Sequence, residues 1–91
     1  MTELSRVMKV AKINGQINEL NIEIGEILHQ INHRFEVMAS HEAASELDDV
    51  IYSREEIDRL YKKLVPFVDA RDKYMREKLK TIYWRDYQDA Q

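Results

Sequence analysis

Two histidines, His29 and His33, stand one helical turn apart, a spacing at which two imidazoles share a helix face and can ligate one metal ion. Glu26, three residues before His29, adds the Glu-x-x-His pattern that di-iron carboxylate bundles use. Position decides between chemistry and surface. Ile24 and Ile27 belong to the inward-facing apolar series of the same segment, which sends Glu26 and His29 to solvent. A second Glu-x-x-His is missing from the chain. Neither a metal nor a cofactor is therefore expected. His41 and Glu42 read as an isolated polar pair in a loop. There is no cysteine, which removes thiolate nucleophiles, disulfides and thiolate metal sites together. No Gly-rich phosphate loop, Ser/His/Asp order or pair of carboxylates in an apolar setting is present, so catalysis is not expected.

The residues that fit recognition lie near the C-terminal end of the sequence. Arg71, Lys78 and Arg85 flank an apolar stripe, while Lys62, Lys73 and Lys80 point outward from it. Tyr83, Trp84 and Tyr87 place three aromatics within five residues. Guanidinium and ammonium groups beside large aromatics compose an interface hot spot, and the predicted partner-binding set is Arg71, Lys78, Tyr83, Trp84, Arg85 and Tyr87. The same mixture can hold phosphate, with rings available for stacking. A nucleotide or nucleic-acid binder using this basic helix is thus the alternative reading. Asp69, Asp72 and Glu77 interrupt the basic row, and the net charge of the chain is -3. That balance does not give the positive field of a duplex binder.

The elements that must position these groups follow from periodicity. Val10, Ile17, Ile24, Ile31 and Met38 recur at steps of seven, and Ile13, Leu20 and Ile27 fall three residues after the first three of them. Such a 3-4 alternation is helical and coiled-coil-like. It predicts one helix over about 3–39, roughly 55 Å long at 1.5 Å per residue. Gly15, Gly25 and four asparagines weaken its local propensity, so packing must hold it. Ser40 reads as the cap of a short connecting helix over about 41–51. Ser53-Arg54-Glu55-Glu56 reads as a capping box that opens a third helix over about 54–88, kinked at Pro66.

The whole is predicted to be all-α: one helical domain over 1–91, a long antiparallel hairpin with a short connecting helix. A single hairpin covers only one face of each helix. The sequence therefore predicts assembly into a helical bundle oligomer, with Ile17, Leu20, Ile24, Ile27 and Ile31 as the seam. Isoleucine at these positions leaves dimer, trimer and tetramer open.

Composition bounds the rest. Of 91 residues, 44% are hydrophobic and 34% charged, with two glycines and one proline, the profile of an ordered helical chain and not of a disordered one. No run of 18 apolar residues occurs, so a membrane span is not expected, and a cytoplasmic location is. The charge is graded: residues 41–60 hold two basic and seven acidic groups, and residues 61–91 hold eight and five.

In outline the stretch containing Ile17, Leu20, Asn21, Ile24, Ile27 and Leu28 resembles the first helix of the helical class of chorismate mutases. That resemblance implies arginines and a lysine gripping a dicarboxylate. The aligned positions hold Asn14, Ile31 and Glu42 instead, which removes the binding charges and the reaction with them. The predicted function is a non-enzymatic protein–protein interaction module, a small oligomeric adaptor or an inhibitor of a larger protein.

Overall fold

Thr2 opens the first helix. Its backbone is extended and its hydroxyl accepts from the Ser5 amide at 3.1 Å, satisfying one of the amides that a helix start leaves unpaired. In the computed structural model, which describes residues 2–83, helix α1 runs over Glu3–Ala43 and helix α2 over Leu47–Ile82. The 41 residues of α1 account for the 63 Å long dimension of the molecule, since each adds about 1.5 Å.

The helices pack on each other antiparallel, and three side-chain pairs fix the register. Lys9 lies 3.7 Å from Glu77, Gln16 donates to the Tyr74 hydroxyl at 3.4 Å, and Asn21 accepts from Arg71 at 3.3 Å. Each step along α1 toward the turn meets a residue closer to the turn on α2. The fold is therefore all-α, two long helices in contact. None of its described helices is long and apolar enough to cross a membrane.

The reversal differs from the sequence expectation. No separate helix spans 41–51: α1 continues through His41 to Ala43, and α2 begins at Leu47, well ahead of residue 54. Three residues, Ala44 to Glu46, make the turn. The Ser45 amide donates to Glu42 at 3.1 Å and the Glu46 amide to His41 at 2.9 Å, which is the Schellman closure of a helix end. That motif needs a left-handed residue, and Ser45 supplies it at φ 58 although glycine is the usual occupant. The following helix has no side-chain cap, but Asp48 and Asp49 fill its first turn, where negative charge suits the helix dipole. Ser53 is no cap either. It lies inside α2 with 1% of its surface exposed, a small side chain buried within the helix where a start was expected. Helix α2 also continues through Pro66 as one element.

Ile24, Ile27 and Ile31 of α1 interlock with Leu60 and Leu64 of α2, and Phe67 and Val68 pack against this cluster. Ile13 and Ile57 are buried as well. Thr81 is buried with its hydroxyl donating back to the Glu77 carbonyl at 2.9 Å, so the one polar group that its burial brings is satisfied. Ile17 and Leu20 are half-buried. Seven apolar side chains are buried among the described residues, while fifteen large ones stay more than a third exposed. The hairpin covers one stripe of each helix and leaves the rest of the apolar surface outside.

Candidate functional site

The hairpin has two broad sides with different chemistry. On one, His29, His33 and Arg34 of α1 face Glu56 and Arg59 of α2 across a groove of about 380 Å³. Arg59 grips the Glu56 carboxylate with two nitrogens, at 2.7 and 3.3 Å. This guanidinium hydrogen bond holds the Glu56 carboxyl below its ordinary range and raises Arg59 in return. Arg34 stacks over Tyr52, its guanidinium carbon 5.8 Å from the ring centre, within reach of a cation–π contact. Glu56 and Arg59 thus pair with each other, and Arg34 rests on a ring. Glu26, His29 and His33 are all exposed. Further along the same side, Gln16, Glu19, Glu23 and Tyr74 border a second shallow groove.

The opposite side is largely apolar, and its α1 half is uncharged. Read at steps of seven, one row of α1 is Val7, Asn14, Asn21, Leu28 and Phe35, and the next is Ala11, Asn18, Gly25, Asn32 and Ala39. No charge interrupts either row. On α2 the adjoining rows bring Ile51, Tyr61, Val65, Val68, Met75 and Leu79 to this side, with Arg54, Asp58 and Asp72 among them; of the apolar ones all but the half-buried Val68 are exposed. Val65 is 54% and Leu79 56% exposed. Between the open ends of the helices, Val7, Val10 and Ile82 line a shallow pocket of the same surface, bordered by Glu3 and Arg6. No side chain fills the space where a Cβ would stand at Gly15 or Gly25. The packing of this chain therefore does not require either glycine.

The residues singled out for partner binding distribute unequally. Arg71 is half-buried between the helices, bonded to Asn21 through Nη1, and its Nε is buried without a hydrogen bond, 3.8 Å from Asp72. It is thus partly committed to holding the hairpin together. Lys78 is half-buried and Tyr83 exposed at the end of α2. Trp84, Arg85 and Tyr87 lie outside the described residues. The seam residues Ile24, Ile27 and Ile31 are buried against the chain's own α2.

The turn holds a constellation that sequence spacing did not suggest. His41 is neither isolated nor in a loop. It lies in the last turn of α1, with Nδ1 3.4 Å from Glu46 and 3.9 Å from Asp49. Among the described residues this is the one group of three potential metal ligands whose donor atoms converge, all within 4.8 Å. Its structural role is evident from the closure: His41 and Glu46 occupy the two positions that a Schellman motif usually joins by an apolar contact. Here an ion pair can take that place when the imidazole is protonated. Residues five and eight apart fall together only because the chain reverses at Ser45, and helical spacing alone carries no such signal.

Comparison of the chain with protein-family models, with curated proteins and with solved structures finds no match.

Proposed function

We propose that the chain is a non-enzymatic protein–protein interaction module, a helical adaptor or an inhibitor of a larger protein, that works through the apolar side of its hairpin. One observation carries this reading. From Val7 to Ala39 two adjacent rows of α1 hold no charged residue, in a chain that is 34% charged, and they run beside rows of α2 that expose Ile51, Tyr61, Val65, Met75 and Leu79 and carry three charges, Arg54, Asp58 and Asp72. Depletion of charge at the centre of a patch, more than apolarity alone, distinguishes a contact surface from ordinary protein surface. Exposed patches of this kind mark interaction sites.

The alternative, phosphate binding at the basic end of α2, draws support from a surplus of charge. Residues 2–15 and 68–83 together hold eight basic and four acidic groups. Against it, Arg71 is bonded to Asn21 and Lys9 is paired with Glu77. Steep loss of binding with rising salt would select the phosphate reading.

The test combines light scattering after size exclusion with titration of an apolar fluorescent dye. An assembled chain, or a monomer that binds the dye and loses it on Met75→Glu with the helix content unchanged, supports the module. A monomer that binds no dye overturns it, because the apolar side is then covered from within.

A further inference from the structure

We infer that the occupant of the apolar side is a second copy of this chain, laid antiparallel across a two-fold axis that lies in the interface and runs past both Gly25 and Val65. The inference rests on the interaction-module reading and adds the partner and its orientation.

Area comes first. A compact monomer of 10.9 kDa is expected to expose about 5,600 Å², whereas this chain exposes 6945 Å². The surplus of roughly 1,300 Å² exceeds the ~800 Å² that each partner contributes to an interface of standard size. A hairpin 63 Å long and only 15 Å thick can bury that much against another hairpin by stacking face to face, and the result is a four-helix bundle.

Charge then chooses between the two ways to stack. The turn end is acidic: residues 36–60 hold eight acidic groups and two basic ones. The open end, where α1 starts and α2 finishes, holds the basic surplus. Stacking turn over turn sets like charge on like at both ends. Stacking antiparallel sets each acidic turn over the basic open end of the other copy, the complementary arrangement.

The residue pattern fits the same axis. An antiparallel two-fold stack lays α1 over the partner's α1 and α2 over the partner's α2. The register of the hairpin puts Gly25 and Val65 at one level, near the middle of both helices. The row through Gly25 is then self-complementary: Gly25 meets its own copy, Asn18 meets Asn32, and Ala11 meets Ala39. Small residues where two helices approach, with amides between them that can pair across the axis, give Gly25 the neighbour that its own chain does not supply. On α2, Ile51 and Leu79 lie at equal distances on either side of Val65, so each faces the other across the interface; Asp58 and Asp72 of the same row face each other likewise, a like-charge contact that the complementary ends must outweigh.

The chain has no cysteine, so single-cysteine variants at these three exposed positions report the arrangement directly. The experiment measures solution mass across a wide concentration range, then treats Val65→Cys, Ile51→Cys and Leu79→Cys, alone and mixed, with a short thiol cross-linker. The expected result is a mass of two chains, Val65→Cys cross-linked to itself, and a mixed Ile51→Cys/Leu79→Cys product with neither variant linking to itself. Stacked turn over turn, those two positions would be about 42 Å apart along the helix, and absence of the mixed product overturns the inference. A mass of three or more chains overturns it too. A monomer at every concentration rules out the second copy. Dye binding by that monomer leaves the interaction module standing for a different partner, and lack of dye binding removes both.

Discussion

Leu64 and Val65 are neighbours in sequence and opposites in environment, which makes them a matched pair for testing the packing. Leu64 is 9% exposed in the central cluster and Val65 54% exposed on the apolar side. Leu64→Ala removes buried methyl groups and leaves a cavity, at a cost of about 2–4 kcal/mol. That is a large share of the roughly 5 kcal/mol at the low end of domain stabilities. Val65→Ala would behave differently in a lone hairpin. It exchanges a weak helix former for the strongest one, so the expected effect is neutral or stabilising by up to about 0.6 kcal/mol.

In the antiparallel dimer the same substitution weakens association. Full burial of a valine contributes about 1.5–2 kcal/mol, and with 54% of Val65 still exposed about 1 kcal/mol per protomer remains to be gained. Two protomers lose about 2 kcal/mol together, roughly a 20- to 30-fold rise in the dimer Kd. Urea unfolding followed by circular dichroism at two widely separated protein concentrations reads both effects, because coupling to association makes the midpoint depend on concentration. A Leu64→Ala loss below about 1 kcal/mol refutes the packing of α1 on α2 through this cluster. A Val65→Ala chain with unchanged mass and unchanged concentration dependence refutes the covered side.

Four further outcomes are expected. Gly25→Ala should raise the intrinsic stability of α1 by about 1 kcal/mol yet weaken dimerisation on dilution; a variant that is more stable and equally dimeric removes Gly25 from the axis. Ser45→Gly should stabilise the hairpin by about 1 kcal/mol, since only glycine adopts the left-handed closure without a Cβ penalty, and a lowered Tm would contradict the closure. Because Arg59 holds Glu56 below the ordinary carboxylate range, their pairing stabilises the fold above that range and fades as pH falls through the depressed value. Arg59→Gln should accordingly flatten the acid limb of the stability profile, and an unaltered limb would assign acid sensitivity to other carboxylates. His41→Ala should cost less than about 1 kcal/mol, and the loss should shrink in high salt; a larger, salt-insensitive loss would mean that packing and not charge closes the turn.

The local part of this architecture is legible in the residue order. Helical period is set by neighbours three and four apart, so the isoleucine series marked α1 and its inward face, and Ile24, Ile27 and Ile31 are buried there. Ile57 and Leu64, seven residues apart, share the inner face of α2 for the same reason, and both are buried. The absence of charge along the rows through Leu28 and Gly25 is also written in the sequence, although its meaning is not. It becomes informative only when α2 is seen to cover a different face of α1.

The tertiary structure decided where the chain turns and what each polar residue does. Ser53 carries the local signature of a helix start, but α2 already began at Leu47 and the serine was buried within it. Ser45 has no glycine signal, yet backbone hydrogen bonds to Glu42 and His41 hold it left-handed. Arg71 reads as an exposed anion contact until Asn21, fifty positions away in the chain, accepts its hydrogen bond. His41, Glu46 and Asp49 converge by the same reversal. Period and propensity are properties of one helix, whereas the place of reversal and the partner of a long side chain depend on how two helices close on each other.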